Sequence, residues 1–126
     1  LGFAYLRALA LPTAIEHLAA TVDALRRLGL HKQQGTFHAF LADAWLATGD
    51  SERARQEATE ALATCREAQF PFGAAWAERA LGRVHAQRGA RREALAHFAR
   101  ARAGFERIGA RLELSVTEHE WAAVAD

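Results

Sequence analysis

Three side chains in this 126-residue chain have the types and the spacing to grip an anion. Trp76, Arg79 and Arg83 stand three and four residues apart, which on a helix gathers them on one face. An indole beside two guanidinium groups joins a broad apolar plate to forked donors matched to a carboxylate, the make-up of an anchor for a carboxylate-bearing peptide. The same residues have a plainer use. Arg79 or Arg83 can pair with Asp43 while Trp76 packs against a neighbouring helix, because ion pairs of this kind are common without being functional. The residues by themselves admit both readings.

Other chemistry-bearing residues point away from catalysis and from metals. The six histidines fall at 17, 31, 38, 85, 97 and 119. No two of them have the three- or four-residue spacing that puts two metal ligands on one helical face. His85 and His97 could meet inside one helical hairpin, where an interior imidazole satisfied by its neighbours is expected rather than a ligand. Glu78 and Glu118 are forty residues apart, and His38 lies forty residues before Glu78. Paired carboxylates serve general acid and base chemistry, but these two are separated by a whole repeat and no nucleophile accompanies them. They are expected to be structural, each taking a donor in a packed seam from His38, from an arginine or from a backbone amide. The lone Cys65 has no disulfide partner in the chain and should behave as a small buried hydrophobe. The glycines occur without a phosphate-cradling motif. No catalytic residue, no metal and no cofactor is expected.

The elements that position these residues are set by an internal register. Shifting the chain by forty residues superposes Leu1-Gly2, Leu41-Ala42, Leu81-Gly82 and Trp121-Ala122 without a gap. Tyr5, Trp45 and His85 then coincide, as do Ala14, Ala54 and Ala94, then Leu18, Ala58 and Phe98, then Leu25, Cys65 and Phe105. A fixed period of this size marks units that cannot bury their apolar faces alone and stack to do so. The expected fold is an all-α antiparallel helix-pair solenoid of about seven helices.

Each period accommodates two amphipathic helices. One is predicted from Gln34 to Thr48, with an apolar stripe through Phe37, Leu41, Ala44 and Trp45. Gly49 should end it with a left-handed residue, and Asp50 or Ser51 should cap the next helix, Glu52 to Ala68. The following period repeats the design with helices from Ala74 to Arg88 and Arg91 to Ile108. Before them lie a partial helix up to Leu9 and a helix from Pro12 or Thr13 to Leu28, and a last helix should run from Arg111 to Ala125. The chain is thus read as one domain over 1–126: a partial repeat at 1–33, repeats at 34–73 and 74–110, and a terminal helix at 111–126. Gly29 to Gly35, Gln69 to Gly73 and Ile108 to Arg111 should be connections. Methionine is absent even at the first position, and both ends fall within expected helices, so the segment is read as a piece of a longer chain flanked by further repeats.

Formal charge is only +1 with both signs interleaved, which argues against a nucleic-acid surface. No apolar run reaches a membrane span, and the single cysteine suits a reducing compartment; a cytoplasmic location is expected.

These residues resemble the tetratricopeptide repeat (TPR) family. Leu81, Gly82, Gly89, Ala94, Phe98 and Ala101 match its pattern, with His85 at the place of an aromatic. Leu41, Ala42, Trp45, Gly49, Ala54, Ala58 and Ala61 match less fully. The period exceeds the usual thirty-four residues and the usual proline late in the second helix is missing. Such lengthened, Ala- and Arg-rich repeats look like those of large bacterial regulators, notably ATP-dependent LuxR-type activators and cyclase-associated ATPases. The resemblance implies that first helices line a concave face, on which Asp43, Trp76, Arg79, Arg83, Gln87 and His119 would meet a partner. It also implies that chaperone tails are excluded, because Ala39 and Asp43 stand where the carboxylate-clamping Lys and Asn would be. The expected function is a non-catalytic protein-interaction or scaffold module of a bacterial transcriptional regulator, binding a peptide or another domain of its parent. The alternative is a sensor of a small anionic metabolite framed by Trp76, Arg79, Arg83 and His119. Self-association through Phe3, Leu112, Val116 and Trp121 would be a third use of the exposed ends.

Overall fold

The computed structural model describes residues 2–126, and side chains from residue 10 onward. Expectations that rest on Leu1 or on the side chains of Phe3 and Tyr5 lie outside the described residues. The described residues form six helices, α1 (Gly2–Leu28), α2 (His31–Ala47), α3 (Ser51–Glu67), α4 (Pro71–Gln87), α5 (Arg91–Ile108) and α6 (Arg111–Ala125), and no strand occurs among them. Each helix packs against the next in sequence, and α2 also packs against α4.

Six helices replace the expected seven because the break foreseen between Leu9 and Pro12 does not occur. α1 runs straight through Pro12. The other turns of this class use Gly49 and Gly89 at φ 90° and 75°, whereas Leu9, at the equivalent place, would be costly in a left-handed conformation. Ala10 and Leu11 are strong helix formers, so the chain keeps its helix although Pro12 returns no amide hydrogen bond to the preceding turn.

The glycines at 35 and 73 are a second correction. They were expected in connections, but both lie inside helices, and α2 and α4 begin at His31 and Pro71. Their role is close approach. A Cβ on either one would run into Sγ of Cys65, at 2.5 Å in the case of Gly73. Cys65 is fully buried between them, and burial pushes its thiol up to about 11, so it stays protonated.

Contacts recur at the forty-residue offset. Ala42 and Ala58 share one core cluster with Ala80 and Leu81. Their equivalents are Gly82 and Phe98, where a Cβ on Gly82 would come within 2.8 Å of the Phe98 ring. The volume removed at one position is used at the other. Likewise Gly35 faces Cys65, and their equivalents Ala75 and Phe105 pack together with Ala101. Small residues at these crossings let backbones approach, and close packing then fixes which neighbour can be large.

Helix ends follow a second set of equivalent positions. Gly29 and Gly109 are left-handed at φ 73° and 79°, and Gln69, at the matching position between α3 and α4, is the only described non-glycine residue with positive φ, at 53°. The left-handed region burdens a side chain but not glycine. Replacing Gln69 by Gly is therefore expected to stabilise the protein by about 0.5 kcal/mol, after allowing for the greater freedom glycine gives the unfolded chain. Gly29→Ala should act in the opposite direction by about 1 kcal/mol, and urea denaturation of the two variants measures both shifts.

Candidate functional site

α4 carries the three residues singled out at the start, and its neighbours decide what each does. Trp76 is half-buried, with its ring set edge-on to Phe40 of α2 at 5.0 Å and to Phe72 at 6.4 Å between centroids. The Arg79 guanidinium lies 4.5 Å from the Trp76 ring centroid and 5.1 Å from that of Phe105, so it is sandwiched by π-faces that favour its charge. Its side chain is only 3% exposed and reaches Glu113 of α6 at 2.5 Å. It also extends toward Thr117 Oγ1 and the Glu113 carbonyl, each at 3.4 Å. Arg79 is thus enclosed between α4, α5 and α6 rather than presented to solvent.

Arg83, one turn further along α4, ties three helices together. Its Nε and Nη2 donate to the two carboxylate oxygens of Glu120 on α6 at 2.7 and 2.6 Å. Its Nη1 donates to Asp43 Oδ2 on α2 at 2.9 Å. Burial works against the charge on this guanidinium, but the hydrogen bonds and negative charges of Glu120 and Asp43 prevail and hold its pKa above the ordinary arginine value. At Asp43 the balance is reversed. Desolvation raises the carboxyl above its usual range, although Arg83 and Arg79 pull it down, and its Oδ1 is buried without a hydrogen-bond partner.

The polar residues at position 38 and its equivalents sit at the seams between paired helices. His38 on α2 is buried and its Nδ1 lies 2.6 Å from Glu57 on α3. Forty residues on, the polarity is inverted: Glu78 on α4 is buried and meets His97 on α5 at 2.9 Å. Glu78 also accepts from Arg66 of α3 at 3.3 Å and has Arg100 at 3.9 Å. Its donors are therefore His97 and arginines, and the shared carboxylate–imidazole pair serves both seams with the partners exchanged. Glu118, the next equivalent, is exposed.

His85 and His97 do meet within the α4–α5 hairpin, with parallel rings 5.2 Å apart. His85 is half-buried rather than fully interior. Burial lowers its pKa, with His97, Arg88 and Arg55 acting in the same direction and Glu93 opposing them.

Of the six residues expected on one binding face, Trp76 pairs with Arg79 and Asp43 with Arg83, in two separate groups that each reach a carboxylate of α6. Gln87 and His119 are exposed on α4 and α6, and no hydrogen bond joins them to either group among the described residues. The arginines are already matched to carboxylates, so an incoming carboxylate would have to displace Glu113 or Glu120. Those two acids were missed in the sequence reading, although Glu113, Thr117 and Glu120 at spacings of four and three form a stripe complementary to Arg79 and Arg83. At the exposed end, Leu112 is 75% and Val116 37% accessible, while Trp121 is half-buried beneath the Arg102 guanidinium. Among the described residues no helix is long and apolar enough to cross a membrane, and no group of three potential ligands is placed to hold a metal ion.

No protein-family model matches the chain, and comparison with the curated proteins and with the solved structures found no match.

The inverted pairs invite an exchange experiment. His38→Glu alone sets a buried carboxylate against Glu57 and is expected to cost about 3 kcal/mol. Adding Glu57→His recreates the arrangement of the following seam and should recover at least about 1 kcal/mol of that loss, read as the coupling energy in a double-mutant cycle of urea unfolding.

The His85 shift sets a direction for pH. With its folded pKa depressed, the unfolded chain takes up the proton first, so the contribution of neutral His85 is fully present above about pH 6.5 and is lost progressively as pH falls from there through the lower folded value. His85→Phe should therefore flatten part of the stability loss expected between about pH 7 and pH 5. Denaturation midpoints across that range, wild type against variant, give the comparison.

Proposed function

We propose that this chain is a non-catalytic interaction module, a TPR-like solenoid whose first helices α2, α4 and α6 line a concave groove for a peptide or a partner domain. The reading extends to its setting, a bacterial regulatory protein in the cytoplasm whose other parts the groove would contact. The observation that carries it is the recurrence of the same contacts at one fixed offset: Ala42 with Ala58 and Gly82 with Phe98, His38 with Glu57 and Glu78 with His97. A stack of equivalent helix pairs is the arrangement that repeats contacts in this way.

Within this reading the groove residues divide by accessibility. Arg79 forms the floor, locked to Glu113 and the Trp76 ring. Arg83 keeps a quarter of its side-chain surface open, at 26%, and is the donor a partner carboxylate reaches by exchanging with Glu120. Trp76 offers an apolar contact beside Arg79, and Gln87 and His119 supply exposed polar groups. Such exchange makes binding a competition between internal and external carboxylates, so selectivity comes from the groove shape more than from charge.

Panning a library of short peptides with free C-terminal carboxylates against the immobilised chain tests the reading. Selected peptides are expected to shift the Trp76 indole resonance, identified with Trp76→Phe, and to bind about tenfold more weakly to Arg83→Ala and more weakly to Gln87→Ala. Arg107→Ala, on the exposed surface of α5, should leave affinity unchanged. Peptides that bind with no change at Trp76 and equal affinity for both groove variants would remove the groove from consideration.

A further inference from the structure

The crevice where α1, α2 and α3 meet encloses about 340 Å3 and lies apart from the α2–α4–α6 face. Its lining is divided by charge. Arg26 at the end of α1 brings a guanidinium charge and His31 at the start of α2 an imidazole, while Glu60 and Glu67 of α3 bring two carboxylates. Neutral Gln34 and Thr64 complete the polar lining.

Stacking does not require this set. One register step along, where α3, α4 and α5 meet, Glu60 and Glu67 are replaced by Arg100 and Arg107, Gln34 by Ala74 and Thr64 by Gly104. The helices pack there all the same, so the bipolar lining belongs to the first crevice alone. Gln34 is only 5% exposed. Its Oε1 lies 3.3 Å from His31 Nδ1, and its amide nitrogen has no protein acceptor among the described residues. That donor is not sealed away from the crevice, so it is open to an acceptor on a bound molecule.

α2 adds a further source of donors, because its N-cap, Leu30, makes no side-chain hydrogen bond to the first turn. Those amides and the helix dipole favour a negative group at that end. Among the described residues Arg26 pairs only with Asp23, at 3.5 Å, with both side chains exposed, which is too weak a tie to hold it from a ligand.

We propose that this crevice binds a free α-amino acid, its carboxylate toward Arg26, His31 and the first turn of α2 and its ammonium toward Glu60 and Glu67. A simple anion would face two carboxylates and a simple cation would face Arg26, so the lining selects a small molecule that carries both charges. The volume is at the small end of ligand pockets, which suits a metabolite of this size. The site is independent of the groove reading.

The test offers the standard L-α-amino acids one at a time to the whole chain and follows the thermal midpoint, which rises for any ligand that binds the folded state preferentially. At least one amino acid should raise it, and for that one the α-amide, which lacks the carboxylate, and the N-acetyl form, which lacks the ammonium, should fail. Glu60→Gln with Glu67→Gln, both at exposed positions, and separately Arg26→Ala, should each weaken binding by about tenfold or more in calorimetric titration. No stabilisation by any amino acid, equal binding of the amide or acetyl form, or unchanged affinity in both variants would each overturn the proposal.

Discussion

The close approach of helix backbones governs this molecule, and most other features are consequences of it. Alanine or glycine occupies nearly every crossing, with Ala39, Ala42, Ala54, Ala58, Ala61, Ala77, Ala80, Ala94 and Ala101 all buried. At such short separation one contact has room for at most one large side chain. Gly82 therefore faces Phe98, Gly35 and Gly73 clasp Cys65, and Phe105 rests against Ala75. Packing at crystal-like density makes each of these pairs a joint choice.

The same closeness explains the electrostatics. Long polar side chains that start near a seam are drawn out of water, and each must find a partner in a neighbouring helix. His38 and Glu57, and Glu78 and His97, meet that need with inverted polarity, because the seam requires one imidazole and one carboxylate but is indifferent to which helix supplies which. Arg79 and Arg83 answer the same demand on the opposite side of α4, reaching α6 and α2. The pairs to Glu113 and Glu120 link α4 to α6, two helices that make few direct backbone approaches to each other, so the setting of α6 against α4 depends on charge as well as on volume.

Much of the fold was legible because its signals are local or periodic. The ends of α5 and α6 at Ile108 and Ala125 agree with the sequence reading, as does the Asp50 cap, whose side chain accepts from the Arg53 amide at 3.0 Å. Where the reading failed, glycine and proline had been taken as punctuation. Gly35 and Gly73 serve contacts with a residue on another helix, which their own sequence neighbours do not reveal. Pro12 is tolerated inside α1 because nothing at position 9 relieves a turn. In the candidate site, the spacing of Trp76, Arg79 and Arg83 was visible, but the carboxylates that engage the arginines lie more than thirty residues away in sequence.

What the chain determined by itself was its helical content, its forty-residue register and the side of each helix that turns inward, since these depend on propensity and on the spacing of small and apolar residues. Tertiary structure alone decided which charged groups are consumed in holding helices together and which remain available. Arg79, alike in sequence to Arg83, is enclosed at 3% exposure while Arg83 keeps 26%. The crevice bounded by Arg26 and Glu67 likewise brings together residues far apart in the chain. The reason is that burial and partner choice are properties of neighbours brought together by helix packing, and no periodicity along the sequence encodes the distance between two charges on different helices.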